Sequence, residues 1–179
     1  MFIDEPYMAS YGSAFVSLSR DQATDLLEEV FAGLKGIKGV HCCGNTDWSI
    51  LLNTSVDILS LDAYDYSERL AVYPEDLGRF LERGGIIAWG IVPTSAIAET
   101  ETVDSLVARL HQAFDRLVAK GISPDAILEA GMVTPLCGLG SLTPPLAERI
   151  FALTVGVSAE MRRRYVEGGA SDASGAEAE

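Results

Sequence analysis

Two histidines and three cysteines are the scarce reactive side chains of this chain, and their spacing is informative. His41 and Cys43 stand two residues apart in Gly39-Val40-His41-Cys42-Cys43. If that run is a strand, both side chains leave on one face and Cys42 leaves on the other. Asp62 lies just beyond the next apolar run, and Cys137 just beyond the last one. An imidazole, two thiols and a carboxylate suit Zn²⁺, which in catalytic sites keeps one position open for substrate. The spacing also fits ordinary core residues, because buried cysteine is common packing material and His-x-Cys lacks the specificity of paired Cys-x-x-Cys motifs. Both readings stand at this level. Cys42 is expected in the core. Asp4, in Asp4-Glu5-Pro6, also ends a strand; it is either a binding carboxylate or a solvated turn before a rigid proline. His111 sits at the margin of a helix stripe and reads as a surface residue. Arg162, Arg163 and Arg164 suit the negative end of a helix. No phosphate-binding loop and no Ser/His/Asp signature occurs.

The elements that must position these residues alternate short apolar runs with amphipathic helices, the pattern of a parallel α/β fold. Strands are expected at Phe2-Ile3, at 39–43, at 57–61, at 86–92 and around 132–134. Ser19-Arg20-Asp21-Gln22 is a capping box, and Leu26, Leu27, Val30, Phe31 and Leu34 continue it at helical spacing to Gly36. Further helices are expected around 48–52, from Pro74 to the Gly84-Gly85 stop, over 103–119, and over about 145–165. Five parallel strands with about five helices fit the length of a doubly wound open sheet, whereas a closed (β/α)₈ barrel needs about 250 residues. On architecture alone the open sheet is preferred. Residues 167–179, beginning Glu-Gly-Gly-Ala-Ser, have no apolar periodicity and are expected to form a disordered acidic tail.

Composition bounds the function. With 179 residues, 48% of them hydrophobic, the chain can bury a core as one domain. A formal charge of −13, from 13 Lys+Arg against 26 Asp+Glu, excludes a nucleic-acid backbone as partner and weighs against substrates with many carboxylates. No apolar run reaches the roughly 18 residues of a transmembrane helix. The opening Met-Phe-Ile-Asp-Glu-Pro carries no secretion signal, and three cysteines make a poor disulfide framework. A reducing cytoplasm is the expected location.

Three segments taken in order resemble the catalytic half of cobalamin-independent methionine synthase: Phe2-Ile3-Asp4-Glu5-Pro6, Val40-His41-Cys42-Cys43-Gly44-Asn45 and Pro135-Leu136-Cys137-Gly138-Leu139. The wider superfamily includes uroporphyrinogen decarboxylase and the zinc-dependent corrinoid:coenzyme M methyltransferases, whose His-x-Cys-Gly-Asn run is also similar. The resemblance covers residues 1 to about 166. It implies a (β/α)₈ barrel with zinc at its mouth, His41, Cys43 and Cys137 at ligand positions, and Asp62 where methionine synthases have a Glu ligand. Asp4 matches the aspartate that holds the amino group of homocysteine. The implied reaction is transfer of a methyl group to a homocysteine thiolate that zinc has deprotonated. The donor is a methylcorrinoid, free or on a corrinoid protein, or methyltetrahydrofolate.

Two departures shape that expectation. The strand that here reads Trp89-Gly90-Ile91-Val92-Pro93-Thr94-Ser95 lacks the histidine that protonates departing folate, which favours a corrinoid donor. Leu136 also replaces the Asp of the usual Pro-Asp-Cys-Gly-Leu. The Asp-Glu-Pro strand lies midway round the family's barrel, so residues 1–166 correspond to its C-terminal part, about five strands. Two edges, near Ile3 and near Val133, are then open, to be covered by a missing-half partner or a second copy. Alternatives are methyl transfer to another thiol such as coenzyme M, a metal-free decarboxylase, and an incomplete barrel that is inactive alone.

Overall fold

The computed structural model describes residues 1–14 and 16–167. Five strands, β1 (Phe2–Asp4), β2 (Gly39–Cys42), β3 (Ile58–Asp62), β4 (Ile86–Val92) and β5 (Gly131–Pro135), form one sheet in the order β1-β2-β3-β4-β5. Every neighbouring pair is parallel. Seven α-helices occur among the described residues: α1 (Arg20–Ala32), α2 (Trp48–Leu52), α3 (Ala63–Leu70), α4 (Pro74–Glu82), α5 (Val103–Val118), α6 (Pro124–Glu129) and α7 (Pro144–Arg162). The last continues as a π-turn over Arg163–Glu167, so Glu167 belongs to it. The rest of the expected acidic tail, 168–179, lies outside the described residues. No helix among the described residues is long and apolar enough to cross a membrane.

The α/β class and the five parallel strands agree with expectation, but the doubly wound sheet does not. Doubly wound sheets reverse strand order at a switch point, whereas here each strand is added on the same side of its predecessor. Right-handed crossovers, the rule for parallel strands, put the connecting helices on one face. That face is apolar: Val40, Leu59 and Ile87 stand in one row, and Cys42, Leu61 and Trp89 in the next. Helices α3 and α5 pack on it, with α7 against β5, and the T-shaped stack of Trp89 on Phe114 ties β4 to α5.

The opposite face is small and polar. One row runs Asp4, His41, Ser60, Ala88, Met132 across the five strands, and the next holds Asp62, Gly90 and Thr134. Ser60 and Asp62 are only 6% and 3% exposed although the helices lie on the other side. The sheet therefore curls around them. Its two edges are open by contrast: Phe2 on β1 is 52% exposed and Met132 on β5 is 43% exposed.

Local sequence explains most boundaries. Ser19 caps α1 and Gln22 returns the bond, completing the capping box. Thr102 and Ser105 do the same for α5. Pro74 starts α4 at the position where a missing N–H costs nothing. Helices α3 and α6 were not expected. The buried residues of α3 are Ala63, Ser67 and Leu70, two of them too small to register as an apolar stripe, and α6 is only 6 residues long. Strand β2 stops at Cys42, one residue short of the expected end, and Asp62 belongs to β3 itself.

Candidate metal centre

The carboxyl end of β2 supplies His41 and, one residue beyond the strand, Cys43. Register and pleat turn both toward the small polar face, while Cys42 turns into the helix layer and is fully buried. Cys137 comes from the loop after β5, 94 residues further along the chain. Its sulfur nevertheless lies 3.7 Å from that of Cys43, whose sulfur is 3.2 Å from His41 Nε2. The three ligand atoms all fall within 4.8 Å of one another. In a flat sheet β2 and β5 would stand ~14 Å apart, three strand spacings. Curvature and the two-residue reach of the loop close that gap.

Gly90 makes the loop's path feasible. A Cβ there would lie 2.5 Å from Leu61 O and 3.0 Å from the Leu136 Cα. Leu136 donates its N–H to Val92 O at 2.9 Å, anchoring the residue before Cys137 directly against β4.

The donor set fits a tetrahedral thiophilic ion. With Zn–S bonds of about 2.3 Å, two sulfurs of one tetrahedron stand about 3.8 Å apart, close to the 3.7 Å found between Cys43 and Cys137. Soft sulfur and imidazole together favour zinc over the hard cations, which take oxygen shells. Burial holds the His41 pKa below its ordinary value, against an opposing pull from Asp4, so the imidazole is neutral and able to ligate. The Cys43 thiol is pushed up to about 11, first by its partly buried surroundings and then by Cys137, with Cys42 and Asp4 adding smaller effects. Without a cation, the Cys43 thiol stays protonated at neutral pH.

Asp4 is opposite His41 in the β1–β2 register and exposed at the rim, where its charge acts on both His41 and Cys43. Asp62 does not belong to the group of three. Its carboxylate caps α3, with Oδ1 accepting from Asp65 N at 2.9 Å. Burial pushes its pKa up to about 6, with the Asp65 N–H opposing, the Asp65 charge adding, and the Tyr64 N–H opposing. A folded-state pKa above the ordinary ~3.9 means the ionised form is disfavoured on folding. The penalty is absent below about pH 4, grows to about pH 6 and is constant above. Asp62→Asn keeps the capping oxygen and cannot ionise. It is expected to stabilise the metal-free protein above pH 6 by on the order of 1–2 kcal/mol, with no difference near pH 4 and no loss of metal binding. Thermal melts at the two pH values, beside metal titration, check it.

Ser60 was not expected at the site. Its hydroxyl lies 3.0 Å from His41 Nδ1, both residues being buried. The signal was the alternation in Ile58-Leu59-Ser60-Leu61-Asp62, which sets Ser60 on the face of Asp62. His111 is half-buried rather than free on the surface, with Tyr165 Oη 2.8 Å from its Nε2. Arg163 and Arg164 bind Glu160, a structural role as expected.

Compared with known proteins, the chain matches no family model and no curated sequence.

Proposed function

We propose that the chain is the C-terminal part of a (β/α)₈ barrel and forms the zinc centre of a methyltransferase of the methionine-synthase type, with homocysteine as methyl acceptor. The observation that carries this reading is the convergence of His41 Nε2, Cys43 Sγ and Cys137 Sγ at the carboxyl ends of parallel strands, with Asp4 beside them. Sites of parallel α/β folds are built at those ends. The sequential strand order and the curled polar face support the barrel, since a barrel adds strands in sequence and folds one face inward. Zinc, when bound, supplies a redox-inert positive charge that lowers the pKa of a thiol held against it.

The chain's own residues do the rest. His41, Cys43 and Cys137 hold the ion, and Asp4 receives the substrate ammonium at the rim. A homocysteine thiolate placed there attacks the methyl carbon in line. The new C–S bond forms as the bond to the donor breaks, and its electron pair leaves with the donor. From methyltetrahydrofolate that pair leaves on nitrogen and needs a proton, and β4 carries no histidine to give one. A methylcorrinoid leaves without it, so it is the donor of choice.

Charge favours homocysteine over coenzyme M. The segments 5–19, 43–47, 93–102 and 136–143, which follow strand ends, contain no Lys or Arg. The arginines that reach these ends are already engaged: Arg20 with Asp47 at 3.9 Å, Arg109 on Tyr64, and Arg149 with Glu101 O. Among the described residues, those four segments offer a sulfonate no cation of their own, whereas an ammonium finds Asp4. The exposed β1 and β5 edges favour a second element of the reading, that turnover needs a partner chain or further strands covering them. The test is methionine formation from homocysteine and methylcobalamin, with coenzyme M in competition, using zinc-loaded chain with its edges completed. Zinc bound but no methionine formed would overturn the methyltransferase.

A further inference from the structure

We propose that Ser60 is a positioning residue for the metal centre, holding His41 as the Nδ1–H tautomer so that the Nε2 lone pair faces Cys43 and Cys137. This rests on the metal-centre reading above. Ser60 stands directly beside His41 in the β2–β3 register, with its Oγ 3.0 Å from Nδ1. The other ring nitrogen, Nε2, is the one 3.2 Å from Cys43 Sγ. His41 is 8% exposed, so little water competes for either nitrogen.

A neutral imidazole carries one N–H and one lone pair, and only the lone pair can ligate. With Nε2 toward the sulfurs, ligation requires the proton on Nδ1, where Ser60 Oγ accepts it. Remove the hydroxyl and the Nδ1–H is buried without a partner, which is costly. The ring's simplest relief is to carry its proton on Nε2 instead, donating toward Cys43, and that tautomer cannot ligate through Nε2, the nitrogen that faces the sulfurs. Among the described hydrogen bonds Ser60 Oγ is the partner of Nδ1, while β1 sets Asp4 on the other side of β2. Outer partners of this kind, when lost, typically cost about 10–100-fold in metal affinity.

The experiment compares wild type, Ser60→Ala and Ser60→Thr by two readouts. The first is Zn²⁺ and Co²⁺ affinity by competition with a chromophoric chelator. The second is the ¹⁵N spectrum of the His41 ring in metal-free protein, assigned with His41→Asn against the signals of His111. The expected result is an Nδ1–H ring in wild type and Ser60→Thr, an Nε2–H or mixed ring in Ser60→Ala, and about 10–100-fold weaker metal binding in Ser60→Ala alone. Equal affinity in all three proteins, or a wild-type ring already protonated on Nε2, would overturn the proposal. Should Ser60→Ala fail to fold, the wild-type and Ser60→Thr spectra still decide it. Absence of metal uptake by wild type would overturn the metal centre, while the metal-free spectra read Ser60's hold on the ring independently.

Discussion

Cys137→Ser should hold essentially no zinc under conditions in which the wild type holds about one ion per chain. Cys137 is the sole described contribution of the β5 loop to the three-ligand group. Serine keeps the size and removes the thiolate, leaving one sulfur and one imidazole, too few to hold zinc against a chelator. The loss should exceed the roughly 10–100-fold cost of removing an outer partner. The fold should survive, because Cys137 is only partly buried and pairs with nothing but Cys43 among the described contacts. Elemental analysis after dialysis against a chelator, beside a thermal melt, measures both. Zinc retained at the wild-type level would mean that Cys137 is not a ligand.

Gly90→Ala should damage both stability and the site. The added methyl would meet Leu61 O at 2.5 Å and the Leu136 Cα at 3.0 Å, backbone atoms that cannot swing aside. Overpacking of a close-packed interior costs typically 1–3 kcal/mol, and a backbone clash belongs at the upper end. At about 3 kcal/mol the melting temperature of a chain this size should fall by roughly 6–12 °C. The relief available is outward movement of Leu136, which carries Cys137 away from Cys43, so zinc affinity should fall with stability. Gly138→Ala is the control: it adjoins Cys137, yet a Cβ there meets nothing within 4 Å. That variant should melt and bind as wild type does. Equal behaviour of the two alanine variants would contradict the role given to Gly90.

Much of this was legible in the chain itself. The capping box at Ser19, the proline start of α4, the apolar run of β4 and the stripe of α5 are local signals; α4, β4 and α5 lie within a residue or two of their expected places, and α1 begins where its box sets it but ends at Ala32, short of the expected Gly36. Strand parity alone put His41 and Cys43 on one face and Cys42 on the other. What was not legible is longer in range. Neither length nor periodicity encodes strand order, so architecture alone favours the doubly wound sheet, and only the sequential order excludes it. The resemblance joins Cys137 to His41 and Cys43, and the structure does bring the three together; spacing alone leaves it open, because that meeting depends on curvature and on the gap at Gly90, properties of four strands together. Helix α3 was hidden because small residues, Ala63 and Ser67, form much of its buried side. Ser60 was hidden because a serine in a strand announces nothing until its neighbour is known to be His41.

A zinc centre at these strand ends requires His41, Cys43 and Cys137 to hold one ion together. X-ray absorption at the zinc edge of the loaded wild-type chain tests that most directly. Two sulfurs at about 2.3 Å and nitrogen at about 2.0–2.1 Å are expected, with one sulfur lost in any preparation of Cys43→Ser that still holds zinc. A shell of nitrogen and oxygen alone, or one sulfur only in the wild type, would contradict it.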